Sequence, residues 1–179
     1  MNDPIEKRLL SCPVLAADIH DDGRTGHIEA DASARAVLVE RLDLAALDLL
    51  TLDYALAPVA RGRFRLTGRW SARAEQICGV TLEPIPLAFD EDVSVEYWTP
   101  DAWERYAQRG EVTFGPDQDA PEIIEHGEID PGRLLEELFI VALPPFPRRE
   151  DAQLNWRESE QPTAGPFAEL RSLSQRNRS

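Results

Sequence analysis

The apolar positions of the chain change period several times, and each change predicts an element. Val14, Ala16 and Asp18 alternate with Leu15, Ala17 and Ile19, as in an extended segment, and Asp21-Asp22-Gly23 supplies a turn after it. Thr25 to Ala30 predicts a second short strand. Asp31 then stands where a helix cap is expected. Val37, Leu38, Arg41, Leu42 and Ala45 recur at helical spacing behind it, which predicts a helix over 32–46. From residue 50 the period falls to two. Leu50, Leu52, Tyr54 and Leu56 alternate with Thr51, Asp53, Ala55 and Ala57, the pattern of a strand with one buried face. Pro58 to Gly62 predicts the turn that ends it.

In the following strand Phe64, Leu66, Trp70, Ala72 and Ala74 hold even positions, while Arg61, Arg63, Arg65, Arg69 and Arg73 hold odd ones. Successive strand residues point to opposite faces, so this spacing sets all five arginines on the exposed face. Gly68 marks a candidate bulge, which would split the row. Ile77, Cys78, Val80 and Leu82 predict a further extended segment, closed by Pro84 and Pro86. Leu87, Phe89, Val93, Val95 and Tyr97 predict another strand around Asp90-Glu91-Asp92. The links between these strands are too short for crossover helices, which implies antiparallel pairing.

Thr99 and Pro100 suit the cap and first position of a short helix with Trp103, Tyr106 and Ala107 on its apolar side. Residues 115–128 read as a polar, acidic, flexible loop. Asp130-Pro131 then opens a helix over 131–143, with Leu134, Leu135, Leu138, Phe139, Ala142 and Leu143 as its apolar face and Pro144-Pro145 as its stop. Beyond Arg149 the chain turns polar, and Pro166 to Leu170 with Leu173 predicts a short docked helix. The expected fold is α+β: a strongly curled antiparallel sheet of about five to six strands, running through residues 50–97, packed with two main helices. One domain over 1–149 and a polar extension over 150–179 follow.

Composition adds limits. With 179 residues, 42 % apolar and 29 % charged, the chain has the makeup of a soluble globular protein able to bury a core without disulfides or metal. No apolar run nears the roughly 20 residues of a membrane span, and no signal core follows the N-terminal charges. Cys12 and Cys78 lie far apart without metal-type spacing. A cytoplasmic protein without cofactor is expected.

Charge is unevenly spread. The net is −14, and it divides into −6 over 1–53, +5 over 54–74, −12 over 75–128 and −1 over 129–179. Such an excess repels nucleic acid at long range but allows a local contact by the basic strip. Eighteen of the nineteen basic residues are arginine, which a GC-rich coding bias explains without function.

Catalytic patterns are missing. His20, His27 and His126 fall in or near presumed turns and edges, and no nucleophile elbow, phosphate loop or His-Glu-x-x-His helix occurs. Asp18-Ile19-His20-Asp21-Asp22 reads as a solvated turn rather than a cation site. Glu136 and Glu137 are adjacent on a helix and face different ways, unlike an acid and base pair. Cys78 reads as a small buried apolar residue. An enzyme is not expected.

Two surfaces carry candidate chemistry. Arg61, Arg63, Arg65, Arg69 and Arg73 offer guanidinium forks that grip phosphate, as RNA binding requires. The competing reading pairs them with acids such as Asp53 and Glu75 across the sheet. The acidic run at Asp90, Glu91 and Asp92, within the segment of net −12, would instead steer a basic protein.

The run from Gly68-Arg69-Trp70 through Glu75-Gln76-Ile77-Cys78-Gly79-Val80-Thr81-Leu82-Glu83-Pro84 resembles the middle motif of the YceD family of large ribosomal RNA subunit accumulation proteins, otherwise a domain of unknown function. Phe89-Asp90-Glu91-Asp92-Val93 fits that pattern. So do Glu128-Ile129-Asp130, Leu134 to Leu138, and Ala142-Leu143-Pro144-Pro145-Phe146-Pro147-Arg148. The resemblance runs from Leu9 to Arg149 and is closest to the alpha-proteobacterial type. Many members carry Cys-x-x-Cys-Leu where this chain has Cys78-Gly79-Val80-Thr81-Leu82, so Thr81 replaces a second cysteine and a metal site is unsupported. The resemblance implies a cytoplasmic, non-catalytic ribosome-biogenesis factor that supports accumulation of large-subunit (23S) ribosomal RNA. Its partners would be that RNA, large-subunit assembly intermediates or a basic ribosomal protein, and no membrane.

Overall fold

The computed structural model describes residues 9–108 and 120–153. In chain order the elements are β1 (Val14–Leu15), a 3-10 turn (Ala16–Asp18), β2 (Arg24–Glu29), α1 (Ala32–Arg41), β3 (Leu44–Ala60) and β4 (Arg63–Ile77). They continue with β5 (Pro84–Trp98), α2 (Pro100–Ala107), β6 (Glu122–Ile123), β7 (Glu128–Ile129) and α3 (Pro131–Ala142). An open sheet orders five strands as β2-β3-β4-β5-β6, and β1 pairs with β7 in a separate two-stranded ribbon. The α+β class is as expected. The sheet is mixed rather than wholly antiparallel, because β6 runs parallel to β5.

Three long strands make the frame. Alternation buries Leu50, Leu52, Tyr54 and Leu56 on β3, and Phe64, Leu66, Trp70, Ala72 and Ala74 on β4. Leu38 of α1 and Leu135 and Phe139 of α3 fill the same core, all fully buried. Arg41 at the end of α1 reaches Glu136 of α3 at 3.0 Å and ties the helices together. The caps form as the sequence predicts. Asp31 accepts from the Ala34 amide, Thr99 from the Ala102 amide, and Asp130 from the Gly132 and Arg133 amides.

Several expectations are corrected. The helix predicted over 32–46 stops at Arg41, because Asp43 takes a left-handed φ of 52° and Leu44 starts β3. Val37 is exposed, and the buried face of α1 is Ala34 and Leu38. The short strand expected over Thr25 to Ala30 forms as β2 and pairs with β3. The segment after Ile77 is a turn, closed by hydrogen bonds from the Cys78 amide to the Glu83 carbonyl and from the Leu82 amide to the Cys78 carbonyl. Leu82 therefore points to solvent with a φ of 60°. Two short strands, Glu122–Ile123 and Glu128–Ile129, occupy the stretch expected to be loop. The helix expected from Pro166 lies outside the described residues.

Gly68 is no bulge. It sits in unbroken register between Tyr54 and Val93, and a Cβ there would run into the Asp53 carbonyl oxygen. The register shifts fall in β3, at Leu44/Ala46, Leu47/Leu49 and Pro58/Ala60.

Candidate functional site

With no slip at Gly68, the odd residues of β4 form one continuous row on the face away from α1 and α3. Arg65, Arg69 and Arg73 are exposed there, Arg63 is half-buried, and Arg61 is exposed in the turn before it. Opposite them on β5 the register sets Glu96 beside Arg65 and Asp92 beside Arg69, with Asp90 two positions further along, opposite Ser71. These acids take the arginines. Glu96 binds Arg63 at 3.0 Å and also Arg65. Arg69 forms a fork on Asp90 at 2.7 and 2.9 Å and reaches Asp92 at 2.9 Å. Asp53, named by sequence as a partner, lies 2.6 Å from His27 Nδ1 instead. Arg61 and Arg73 have no carboxylate at ion-pair distance among the described residues.

The same register divides the acidic triplet. Asp90 and Asp92 stand on the arginine face, while Glu91 lies opposite Trp70 on the other face, exposed. The Asp90 carboxyl is held low by hydrogen bonds from Arg69 and Ser71. At the end of the row Arg63 also lies over the Trp98 ring, 4.2 Å from its centroid, and Trp98 Nε1 donates to Glu96 at 2.9 Å. Trp98 packs edge-on against Trp103 and Tyr106 of α2.

Glu96 is the keystone of this corner. Burial pushes its carboxyl up, but hydrogen bonds from Trp98, Arg65 and Arg63 outweigh that and bring it to about 2, against an ordinary 4.5. A folded value below the unfolded one stabilises the fold above pH 4.5, and that stabilisation disappears as the pH falls toward about 2. The side chain is 25 % exposed, so screening reduces the contribution to about 1–2 kcal/mol. Glu96→Gln is expected to lower stability by this amount at neutral pH and to flatten the acid limb of the stability curve. Urea midpoints at neutral and acid pH check this; parallel curves for the two proteins would assign the limb to other carboxyls.

A second cluster has no counterpart in the sequence reading. β6, β7 and the first turns of α3 enclose a pocket of about 140 Å³. Its wall carries Glu122, Glu125, Glu128 and Glu137 against one guanidinium, Arg133, whose Nε donates to Glu137 at 2.6 Å. Asp130 also borders it but is spent elsewhere: it accepts from Ser11 Oγ at 2.7 Å and the Cys12 amide at 2.8 Å, besides capping α3. Tyr97 forms the floor at 6 % exposure. Burial raises its hydroxyl well above the usual range, and the nearby Glu122 and Glu137 add to that. Glu122, although solvent reaches it, is pushed up by desolvation and by Glu137. Ser11 and Tyr97 join residues of the stretch 122–137 here, and no local motif announces the two distant ones.

Glu136 is buried against Arg41 and Glu137 pairs with Arg133, so the two face different ways as expected. Asp18, His20, Asp21 and Asp22 are exposed around a turn. Among the described residues no three His, Cys, Asp or Glu side chains gather as a metal site. Both cysteines are free, Cys12 exposed and Cys78 buried. A side-chain hydrogen bond from Thr81 and amides from Arg149 and Thr81 lower the Cys78 thiol to about 6. No helix among the described residues is long and apolar enough to cross a membrane.

The family model described as large ribosomal RNA subunit accumulation protein YceD matches residues 66–174. The chain belongs to the YceD family. The match takes in the arginine strand from Leu66 on, with Arg69 and Arg73 but not Arg61, Arg63 or Arg65, and then the acidic strand β5, the pocket elements β6, β7 and α3, and part of the stretch beyond Arg149. The YceD description links the chain to accumulation of large-subunit ribosomal RNA. No curated protein and no solved structure matches significantly.

Proposed function

We propose that this YceD protein acts in large-subunit ribosomal RNA accumulation as a non-catalytic acidic module that binds a basic ribosomal protein before assembly. One observation carries the reading. Arg63, Arg65 and Arg69 are already neutralised by Glu96, Asp90 and Asp92, whereas four glutamates at the pocket face a single arginine. Ribosomal proteins are rich in cations, and an acidic surface steers and retains them.

RNA contact along the arginine strand is the second reading, and Arg61 and Arg73 favour it. The strand between Arg63 and Arg73 alone spans roughly 33 Å at about 3.3 Å per residue, so Arg61 and Arg73 are too far apart to grip neighbouring phosphates together. A phosphate approaching Arg63, Arg65 or Arg69 meets a carboxylate on the next strand, so the row carries little net attraction.

The two readings predict opposite signs. Replacing Arg63, Arg65 and Arg69 together by glutamine frees three carboxylates and removes three cations. Binding of large-subunit ribosomal proteins is then expected to hold or tighten, while RNA affinity would fall with a flatter salt dependence. Affinity capture from lysate with an RNase branch measures both. Capture of large-subunit proteins that survives RNase supports the module; capture abolished by RNase and by the triple change would establish the RNA reading.

A further inference from the structure

The pocket bounded by β6, β7 and α3 has features that a merely solvated acidic surface lacks. At about 140 Å³ it is well below the roughly 300 Å³ of small-molecule sites, yet several times the ~30 Å³ share of one water. Its size suits one side chain. The Tyr97 hydroxyl sits at its floor, on a residue only 6 % exposed, and makes no hydrogen bond among the described residues. The ring is buried, but the hydroxyl oxygen is not closed off from solvent, so it stands open to a donor that enters the pocket. The groups around that hydroxyl are the Glu122 and Glu137 carboxylates, with Arg133 and Asp130 further contributors to its field.

We propose that this pocket receives one arginine side chain of the basic protein partner, its guanidinium bound by Glu122, Glu137 and the Tyr97 hydroxyl oxygen. The proposal rests on the acidic-module reading and gives it a contact point. Arginine fits better than lysine for two reasons. Its planar head presents five N–H donors, which suits acceptors spread over three separate elements. It is also more weakly hydrated, so entry into a site that has lost part of its water costs less.

Arg133 has a defined part in this arrangement. Its guanidinium is already on Glu137 at 2.6 Å, with both side chains partly exposed. It therefore competes for one of the acceptors and repels the incoming cation. Removing it should tighten binding, whereas removing an acceptor should loosen it. A merely structural arginine would not give that sign.

The probe is a fluorescein-labelled peptide of alternating glycine and arginine, bound to the full chain at physiological ionic strength and followed by anisotropy. Wild type is expected to bind it, and a citrulline version, equal in shape but uncharged, to bind about tenfold more weakly. Glu122→Gln should weaken the arginine peptide about tenfold, and Tyr97→Phe, which keeps the ring and hence the core, several-fold. Arg133→Gln should tighten it several-fold. Asp90→Asn with Asp92→Asn, on the opposite face of the sheet, should leave affinity within about twofold. If Glu122→Gln and Tyr97→Phe leave binding unchanged while the Asp90 and Asp92 pair weakens it, the pocket is wrong and the acidic-module reading survives on another surface. No binding of the peptide by wild type overturns both.

Discussion

Replacing Trp70 by alanine is expected to lower the unfolding free energy by about 3–5 kcal/mol. Trp70 is 2 % exposed and lies between Leu52 on β3 and Glu91 on β5 in the register. Its ring stacks on Phe89 at 5.5 Å, and Phe89 in turn meets Phe139 of α3 edge-on at 6.4 Å. The indole thus links the middle of the sheet to the helix that walls the pocket. Alanine leaves a void that long neighbouring strands cannot close, because their backbones are fixed by hydrogen bonds on both sides. Trp70→Phe should cost less, since a ring remains for Phe89. Urea unfolding and near-ultraviolet circular dichroism measure the change. A loss below about 1 kcal/mol for the alanine variant would mean that the core collapses around the site, contrary to this packing.

The arginine row was legible in the sequence because strand parity is a rigid rule once one face is buried. Phe64, Leu66 and Trp70 mark that face, and the odd arginines then have only the other. What the arginines bind was not legible. That depends on the register between β4 and β5, which is set by the turn between Ile77 and Pro84, and this turn reads as extended from its apolar residues. Val80 and Leu82 suggest a buried segment, yet Leu82 is 75 % exposed. The overlong first helix has a similar cause. Register shifts near Leu44 and Leu47 leave Leu44, Leu47 and Leu50 buried, a spacing of three within β3. Bulges in a strand thus imitate a helical period, and the end of α1 was lost in it.

The pocket was hidden for a different reason. Ser11, Tyr97, Glu122 and Arg133 come together only after the N-terminal segment crosses α3 and β6 joins β5 in parallel. The charges of Glu122 and Arg133 fall in different segments, the net −12 of residues 75–128 and the near-neutral remainder, so neither total marks the pocket. Alternation showed Tyr97 on the buried face, but not that its hydroxyl would end without a partner.

Replacing Gly132 by alanine should have the second large effect, and it reaches the pocket. Gly132 follows Pro131 in the first turn of α3, where a methyl group would otherwise favour the helix. Here that gain is lost. The added Cβ would overlap the Leu10 carbonyl oxygen and approach the Cys12 amide nitrogen to 3.1 Å, so the segment over 10–12 must move off the helix. That movement breaks the bonds from Ser11 Oγ and the Cys12 amide to Asp130. Hydrogen bonds to a charged group are worth about 1.5–3 kcal/mol each, and uncovering buried Leu10 adds to the loss. The total is expected at about 3 kcal/mol, capped by the ability of the N-terminal segment to detach while the sheet stays folded. Amide hydrogen exchange separates these outcomes: protection should vanish at Cys12 and at Ala16, whose amide bonds the Gly127 carbonyl, and persist along β3 and β4. Intact protection at Cys12 would show that α3 shifts instead. Because Ser11 and Asp130 border the pocket, detachment opens one wall of it, and arginine-peptide binding should weaken together with the lost protection.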